Sequence, residues 1–203
     1  MSGLRERKRM QTLDHIARIA FALFEQHGYE AVTMEQIAGE AQVAKGTLYR
    51  YFPVKEAVLA HWFHAELAHD MQSFSPPLLT EGGFAQGVTV LLHASAQWCE
   101  THRTYLPPYL RHRFLAIGSP QPEPAGVTRS DIVDAFEALV QRGQGSGELR
   151  TDMSSRQLAA SFHHLYLAAM LRWLNQPELV LQTEFEAVVA LFLQGATARH
   201  GAP

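Results

Sequence analysis

Residues 33–55 read Thr-Met-Glu-Gln-Ile-Ala-Gly-Glu-Ala-Gln-Val-Ala-Lys-Gly-Thr-Leu-Tyr-Arg-Tyr-Phe-Pro-Val-Lys. Thr33 with Gln36 is a capping box, in which each side chain satisfies the other's backbone N–H at a helix start. Met34, Ile37, Ala38 and Ala41 then line one face of a short helix. Gln42, Val43 and Ala44 form a tight connection, and residues 45–52 form a further helix that Pro53 stops. At about 100° per residue, Leu48 and Phe52 project together toward the interior, while Gly46, Thr47 and Arg50 project away from it, flanked by Lys45 and Tyr49. The pattern is a helix-turn-helix with donor-rich chemistry on its outer face.

Such a face suits a DNA major groove. Gly46 lets a backbone lie close to the duplex. Lys45, Thr47, Tyr51 and Lys55 supply cations and hydroxyls for phosphates, and Tyr49 and Arg50 are placed to reach base edges. By helix pattern alone, an ordinary amphipathic three-helix unit with a solvated face fits equally well. Two tyrosines beside Lys45, Gly46 and Thr47 are a poor choice for inert surface, which favours the DNA reading.

Outward from this stretch the chain reads as helices throughout. Ile16, Ala20, Leu23 and Phe24 mark a first helix over 9–27, which Gly28 ends as a left-handed cap. A fourth helix runs over 55–73, before the loop marked by Pro76, Pro77, Gly82 and Gly83, and a fifth over 84–102. Pro107 and Pro108 open a sixth that ends near Gly118, and three prolines between Ser119 and Gly126 mark an irregular loop. Thr128 with Asp131 opens a seventh helix that Gly143, Gly145 and Gly147 close; Ser154 with Gln157 opens an eighth reaching Leu174, and Thr183 with Glu186 a ninth. No alternating strand pattern occurs. The expected class is all-α with about nine helices: a helix-turn-helix DNA-binding domain over 1–54 and a helical ligand-binding and dimerisation domain over 55–203.

Composition fits. With 203 residues, 47% of them hydrophobic, the chain can bury a large core. The single cysteine, Cys99, rules out an intramolecular disulfide, and the basic start lacks the apolar stretch of a secretory signal. Apolar runs are too short to span a membrane, so a cytoplasmic location and no membrane partner are expected. The net charge of −3 is uneven: residues 1–56 hold eight Lys/Arg against seven Asp/Glu, with Arg5, Arg7, Lys8 and Arg9 at the start, and the rest holds nine against thirteen. One end is suited to phosphate, although a basic tail can also be only a solvated terminus.

Residues 33–60 closely resemble the DNA-binding signature of the TetR family of regulators. The resemblance includes the capping Thr33, Ile37-Ala38, the run from Val43 to Phe52 and Lys55-Glu56-Ala57-Val58-Leu59, and extends to Phe21, Phe24 and His27-Gly28-Tyr29. It implies a homodimer whose two recognition helices enter successive major grooves of a palindromic double-stranded operator. Thr33, Lys45, Gly46, Thr47, Tyr49, Tyr51 and Lys55 would stand at DNA-contact positions. A repressor released by a small-molecule effector is the family expectation. Two departures stand out: the family usually caps its third and fourth helices with Ser or Thr, where this chain has Ala44 and Val54. Each lost cap costs roughly 1 kcal/mol and a phosphate-facing hydroxyl.

In the body, the eighth helix carries Leu158, Phe162, Leu165 and Ala169 on one stripe and Leu167, Met170, Leu171 and Leu174 on another. A second apolar stripe needs a second partner. One large core would supply it; the resemblance implies instead a two-fold four-helix interface built from the last two helices, with Val188 and Phe192 joining Leu167, Met170, Leu171 and Leu174. His93, Trp98, Tyr109, Phe114, Phe136 and Tyr166 are candidates to line an effector cavity, although core packing explains each equally well. No cofactor is called for. His61 and His64 near Glu66 and Asp70 lack a fixed third metal ligand, and Cys99 with His102 lacks a third group or oxyanion donors, so neither a metal site nor a catalytic pair is expected. The alternatives to a ligand-responsive regulator are a ligand-independent DNA binder and an enzyme.

Overall fold

The computed structural model describes residues 2–73, 83–115 and 131–196. These contain nine α-helices and no β-strand: α1 (Ser2–His27), α2 (Met34–Glu40), α3 (Lys45–Tyr51), α4 (Lys55–Ser73), α5 (Phe84–Thr101), α6 (Leu106–Leu115), α7 (Asp131–Gly145), α8 (Ser155–Asn175) and α9 (Leu181–Ala196). A short 3₁₀ turn, Arg103–Tyr105, precedes α6.

The expected elements are present with two shifts. α1 begins seven residues before the expected Arg9: the apolar period marking it starts only at Ile16, whereas Leu4 to Gln11 are almost all strong helix formers. α9 begins at Leu181, since Leu181 is fully buried and the Glu184 N–H already bonds the Val180 carbonyl; Thr183 lies inside the first turn and does not cap it. The loop at 119–126, the opening of α7 at Thr128, the end of α6 near Gly118 and the loop residues Pro76, Pro77 and Gly82 lie outside the described residues.

The described residues form two compact units. The first takes α1 to α4 as far as Met71, together with α6. Leu13, Ile16, Ala17, Ala20 and Phe24 of α1 pack with Ile37, Leu48 and Phe52, and with Val58, Leu59 and Phe63 of α4, all 3% exposed or less. Gly28 takes a φ of 83° and its N–H closes α1 on the Phe24 carbonyl, as the left-handed cap requires. The Phe21 and Trp62 rings stack with centroids 3.4 Å apart, and Asp14 of α1 accepts a 2.7 Å hydrogen bond from His61 of α4.

The second unit packs α5, α7, α8 and α9 around an aromatic centre. Phe162 meets Phe136 at 4.7 Å and Phe192 at 4.9 Å, both edge to face, the geometry ring quadrupoles favour. α5 starts at Gly83 without a side-chain cap of its own; the Glu148 carboxylate takes the Phe84 and Ala85 N–H groups instead. Ser154 and Gln157 form the expected capping box at the start of α8. No helix among the described residues is long and apolar enough to cross a membrane.

Candidate functional site

The helix-turn-helix is built by local bonds. Thr33 Oγ1 accepts from the Gln36 N–H at 3.2 Å, and Gln36 Oε1 accepts from the Thr33 N–H at 2.8 Å, which starts α2 as the sequence predicted. α2 ends in a Schellman turn: the Val43 N–H reaches the Ala38 carbonyl and the Gln42 N–H the Gly39 carbonyl. Gln42 occupies the left-handed position of that turn at φ 55°, where glycine is the usual occupant. α3 follows with Ala44 as a cap that offers no side-chain bond.

This geometry sorts α3 into two sides. Leu48 and Phe52 are 0% and 2% exposed and anchor the helix to its unit. Lys45, Gly46, Tyr49 and Arg50 are exposed, with Thr47 and Tyr51 half-buried beside them. A Cβ built on Gly46 meets nothing within 4 Å, so the protein itself sets no steric demand for glycine there. The Arg50 guanidinium lies 5.0 Å from the centre of the Tyr51 ring and donates to Tyr51 Oη at 3.3 Å.

Glu35, which the sequence reading passed over, organises this face from α2. Its Oε1 accepts from Tyr49 Oη at 3.3 Å and stands 3.8 Å from Lys45 Nζ. A carboxylate two residues after a capping position reads as ordinary first-turn charge, so only the packing of α2 against α3 reveals the contact.

Lys55, expected at a phosphate contact, also has a role inside the fold. Its ammonium donates to the carbonyls of Tyr29 at 2.6 Å and Val32 at 3.0 Å and lies 4.2 Å over the Tyr29 ring. Two of its three protons hold the turn between α1 and α2, which makes it a positioning residue before any phosphate is present.

In the body the six candidate cavity residues are dispersed. Tyr109 and Phe114 belong to the first unit, where Tyr109 packs on Phe63 at 4.9 Å and Phe114 is 43% exposed. In the second, Phe136 and Tyr166 are ring neighbours at 6.0 Å within the core, Trp98 lies tilted against His102 at 4.4 Å, and His93 donates to Glu186 at 3.3 Å. Tyr166 Oη also meets Ser95 Oγ at 2.9 Å, a polar pairing inside an apolar unit that spacing alone did not suggest. Cys99 beside it is buried, which pushes its thiol up to about 11; it is protonated at neutral pH, and His102 donates through Nδ1 to the Trp98 carbonyl. That is the reverse of an activated nucleophile.

The apolar stripe of α8 and α9 also separates. Met170 and Phe192 are 4% and 6% exposed and turned into their own unit, Met170 against Cys99 and Phe192 against Phe84 and Phe162. The helical period explains this: Phe162, Tyr166, Ala169, Met170 and Trp173 share the inner face of α8, and Phe185, Val189 and Phe192 that of α9. Leu167, Leu171, Leu174 and Val188 stay half-buried at the surface, joined by Leu191 at 58% exposure.

Comparison with known proteins extends these observations. Residues 16–61 match the model of the bacterial regulatory proteins of the tetR family. The transcriptional regulator TcmR of Streptomyces glaucescens is 46% identical over 56 residues, 28% of this chain and 25% of that protein. The transcriptional repressor KstR of Rhodococcus jostii is 39% identical over 77 residues, 37% of this chain and 34% of that protein, so both alignments span about a third or less of the relative. Across the full fold, FadR of Thermus thermophilus, a TetR-family transcriptional repressor crystallised with lauroyl-CoA, superposes with a TM-score of 0.75 at 26% identity, covering 94% of this chain and 98% of that one. The helix-turn-helix thus matches the TetR family of bacterial regulatory proteins in sequence, and the helical fold as a whole matches a TetR-family repressor in structure.

Proposed function

We propose that this chain is a cytoplasmic, sequence-specific DNA-binding regulator, a repressor whose grip on a palindromic operator is released by a small, largely apolar effector. One observation carries the reading: Lys45, Gly46, Tyr49 and Arg50 stand exposed on the side of α3 opposite the fully buried Leu48, with open space over Gly46. A helix held by its inner side and bare on its outer side can be inserted into a major groove without disturbing its own fold. Lys45 and Thr47 would anchor to phosphates, and Tyr49 and Arg50 would reach base edges.

In this reading residues 1–54 bind DNA and residues 55–203 dimerise and sense the effector. Two copies associate through Leu167, Leu171, Leu174, Val188 and Leu191, the apolar surface that α8 and α9 do not bury themselves. Dimerisation sets the distance between the two recognition helices, and the effector acts by favouring a distance that no longer fits successive grooves. Fatty acyl-CoA thioesters are the first effector class to try, because FadR of Thermus thermophilus holds lauroyl-CoA. No catalytic role is assigned.

The test is selection of duplexes from a random library, followed by fluorescence anisotropy of the enriched duplex with and without lauroyl-CoA. A recovered inverted repeat that binds more weakly in the presence of the thioester supports the reading. Failure to enrich any sequence over scrambled duplex contradicts it.

A further inference from the structure

The first two turns of α1 stand outside the packing of their own unit. Its first buried side chain is Leu13, and residues 3–8 are exposed. Helical backbone without a packed face is marginal by itself. The charges add to this: Arg5 lies in the first turn, at the positive end of the helix dipole, with Arg7, Lys8 and Arg9 directly after it, and the first turn carries no acidic residue. These residues have good helix propensity, and an anion laid against the helix start would offset the charge they concentrate there.

The cations are arranged. Arg5, Lys8, Arg9 and Thr12 fall at i, i+3, i+4 and i+7, one helical face about 10 Å long. With Arg50 and Tyr51 of α3 they line an open cleft of about 820 Å³. The cleft's one carboxylate, Glu6, is 3.0 Å from Arg9 Nη1, which leaves a strong excess of positive charge. A span of about 10 Å covers the axial rise of about three phosphates on one strand of a duplex.

We propose that this cleft is a second DNA-binding element, which takes the sugar-phosphate backbone flanking the base pairs read by α3; the inference rests on α3 being the recognition helix. Continuity argues for DNA over other anions. Arg50 and Tyr51 belong both to the exposed side of α3 and to the wall of the cleft, so a strand leaving the α3 contact passes directly into it. Binding there lengthens the footprint of each protomer and steepens its salt dependence without adding base readout.

The experiment measures affinity for a random-sequence duplex of about 40 base pairs at several salt concentrations, comparing wild type, Arg5→Ala/Lys8→Ala, Arg5→Lys and Lys45→Ala. The double variant should flatten the slope of log affinity against log salt by about two per bound protomer, Arg5→Lys should keep the wild-type slope, and thermal melts should coincide because neither side chain joins the core. A double variant with the wild-type slope overturns the cleft. If Lys45→Ala still flattens the slope by about one, the recognition-helix reading survives that failure; if wild type does not bind the duplex at all, both readings fall.

Discussion

In the first unit the side chains proposed to read DNA point outward and carry little of the fold, whereas in the second the candidate effector residues Phe136 and Tyr166 point inward and also hold the fold. Tyr49 and Arg50 are exposed on a helix anchored by Leu48 and Phe52. Tyr166 and Phe136 sit within the core they help to form, with the half-buried Ser95 bonded to Tyr166. Mutation therefore separates binding from stability cleanly in the head and poorly in the body.

The sharpest contrast comes from core truncation. Phe162, 0% exposed between Phe136 and Phe192, should cost about 3 to 5 kcal/mol when changed to Ala, seen as a large loss in the chemical-denaturation midpoint. Phe192→Glu belongs with it and should unfold the unit, because Phe192 is part of that core. Leu191→Glu should leave helicity intact and yield monomers in sedimentation; a dimer that survives it would move the interface elsewhere.

Acid sharpens the comparison inside the first unit. His64 is 8% exposed, hydrogen-bonded through Nε2 to Tyr109 Oη at 3.3 Å, and its pKa is lowered to about 4 by burial, with Arg113 and His61 adding to the shift. A folded-state value below the unfolded one means that the unfolded chain binds the proton more readily. The stability is complete above about pH 6.5 and is lost as pH falls toward about 4, by an amount on the order of 3 kcal/mol. His64→Leu should flatten the stability profile across that window.

Two lysines test the difference between holding the fold and anchoring DNA. Lys55→Ala should lower stability by roughly 1 to 3 kcal/mol, since it frees two carbonyls at the α1–α2 turn, while Lys45→Ala should move the melt hardly at all. Gly46→Ala is smaller in stability and more telling in function. Nothing crowds the new methyl, so the fold should gain up to about 1 kcal/mol while DNA affinity falls.

The sequence and the structure agree where local chemistry decides. The Thr33–Gln36 and Ser154–Gln157 boxes, the Gly28 cap and the Leu48/Phe52 anchor follow from spacing within one or two turns, which a chain shows on its face. What it does not show is which of two apolar stripes turns inward. Leu167 and Met170 look alike on α8, and Val188 and Phe192 on α9; only packing against α5 assigned Met170 and Phe192 to the core and left Leu191 outside. Long-range polar partners were equally hidden: Glu148 on the amides of α5, Lys55 on the carbonyls of Tyr29 and Val32, and Glu35 beneath Tyr49 all join segments remote in sequence or on different helices. The candidate DNA-contact positions are legible because they are set by residue type on a short motif, whereas candidate effector residues are not, because an aromatic in a core and one in a cavity are the same letter.

The central claim is that the outer side of α3 reads DNA, and it is met most directly by anisotropy on a library-enriched duplex with Tyr49→Ala and Arg50→Ala, each paired with a circular dichroism melt. The account predicts that either variant binds the enriched duplex about 1 to 3 kcal/mol more weakly, keeps its affinity for scrambled duplex nearly unchanged, and melts with wild type. Folded variants that bind the enriched duplex as tightly as wild type would contradict it.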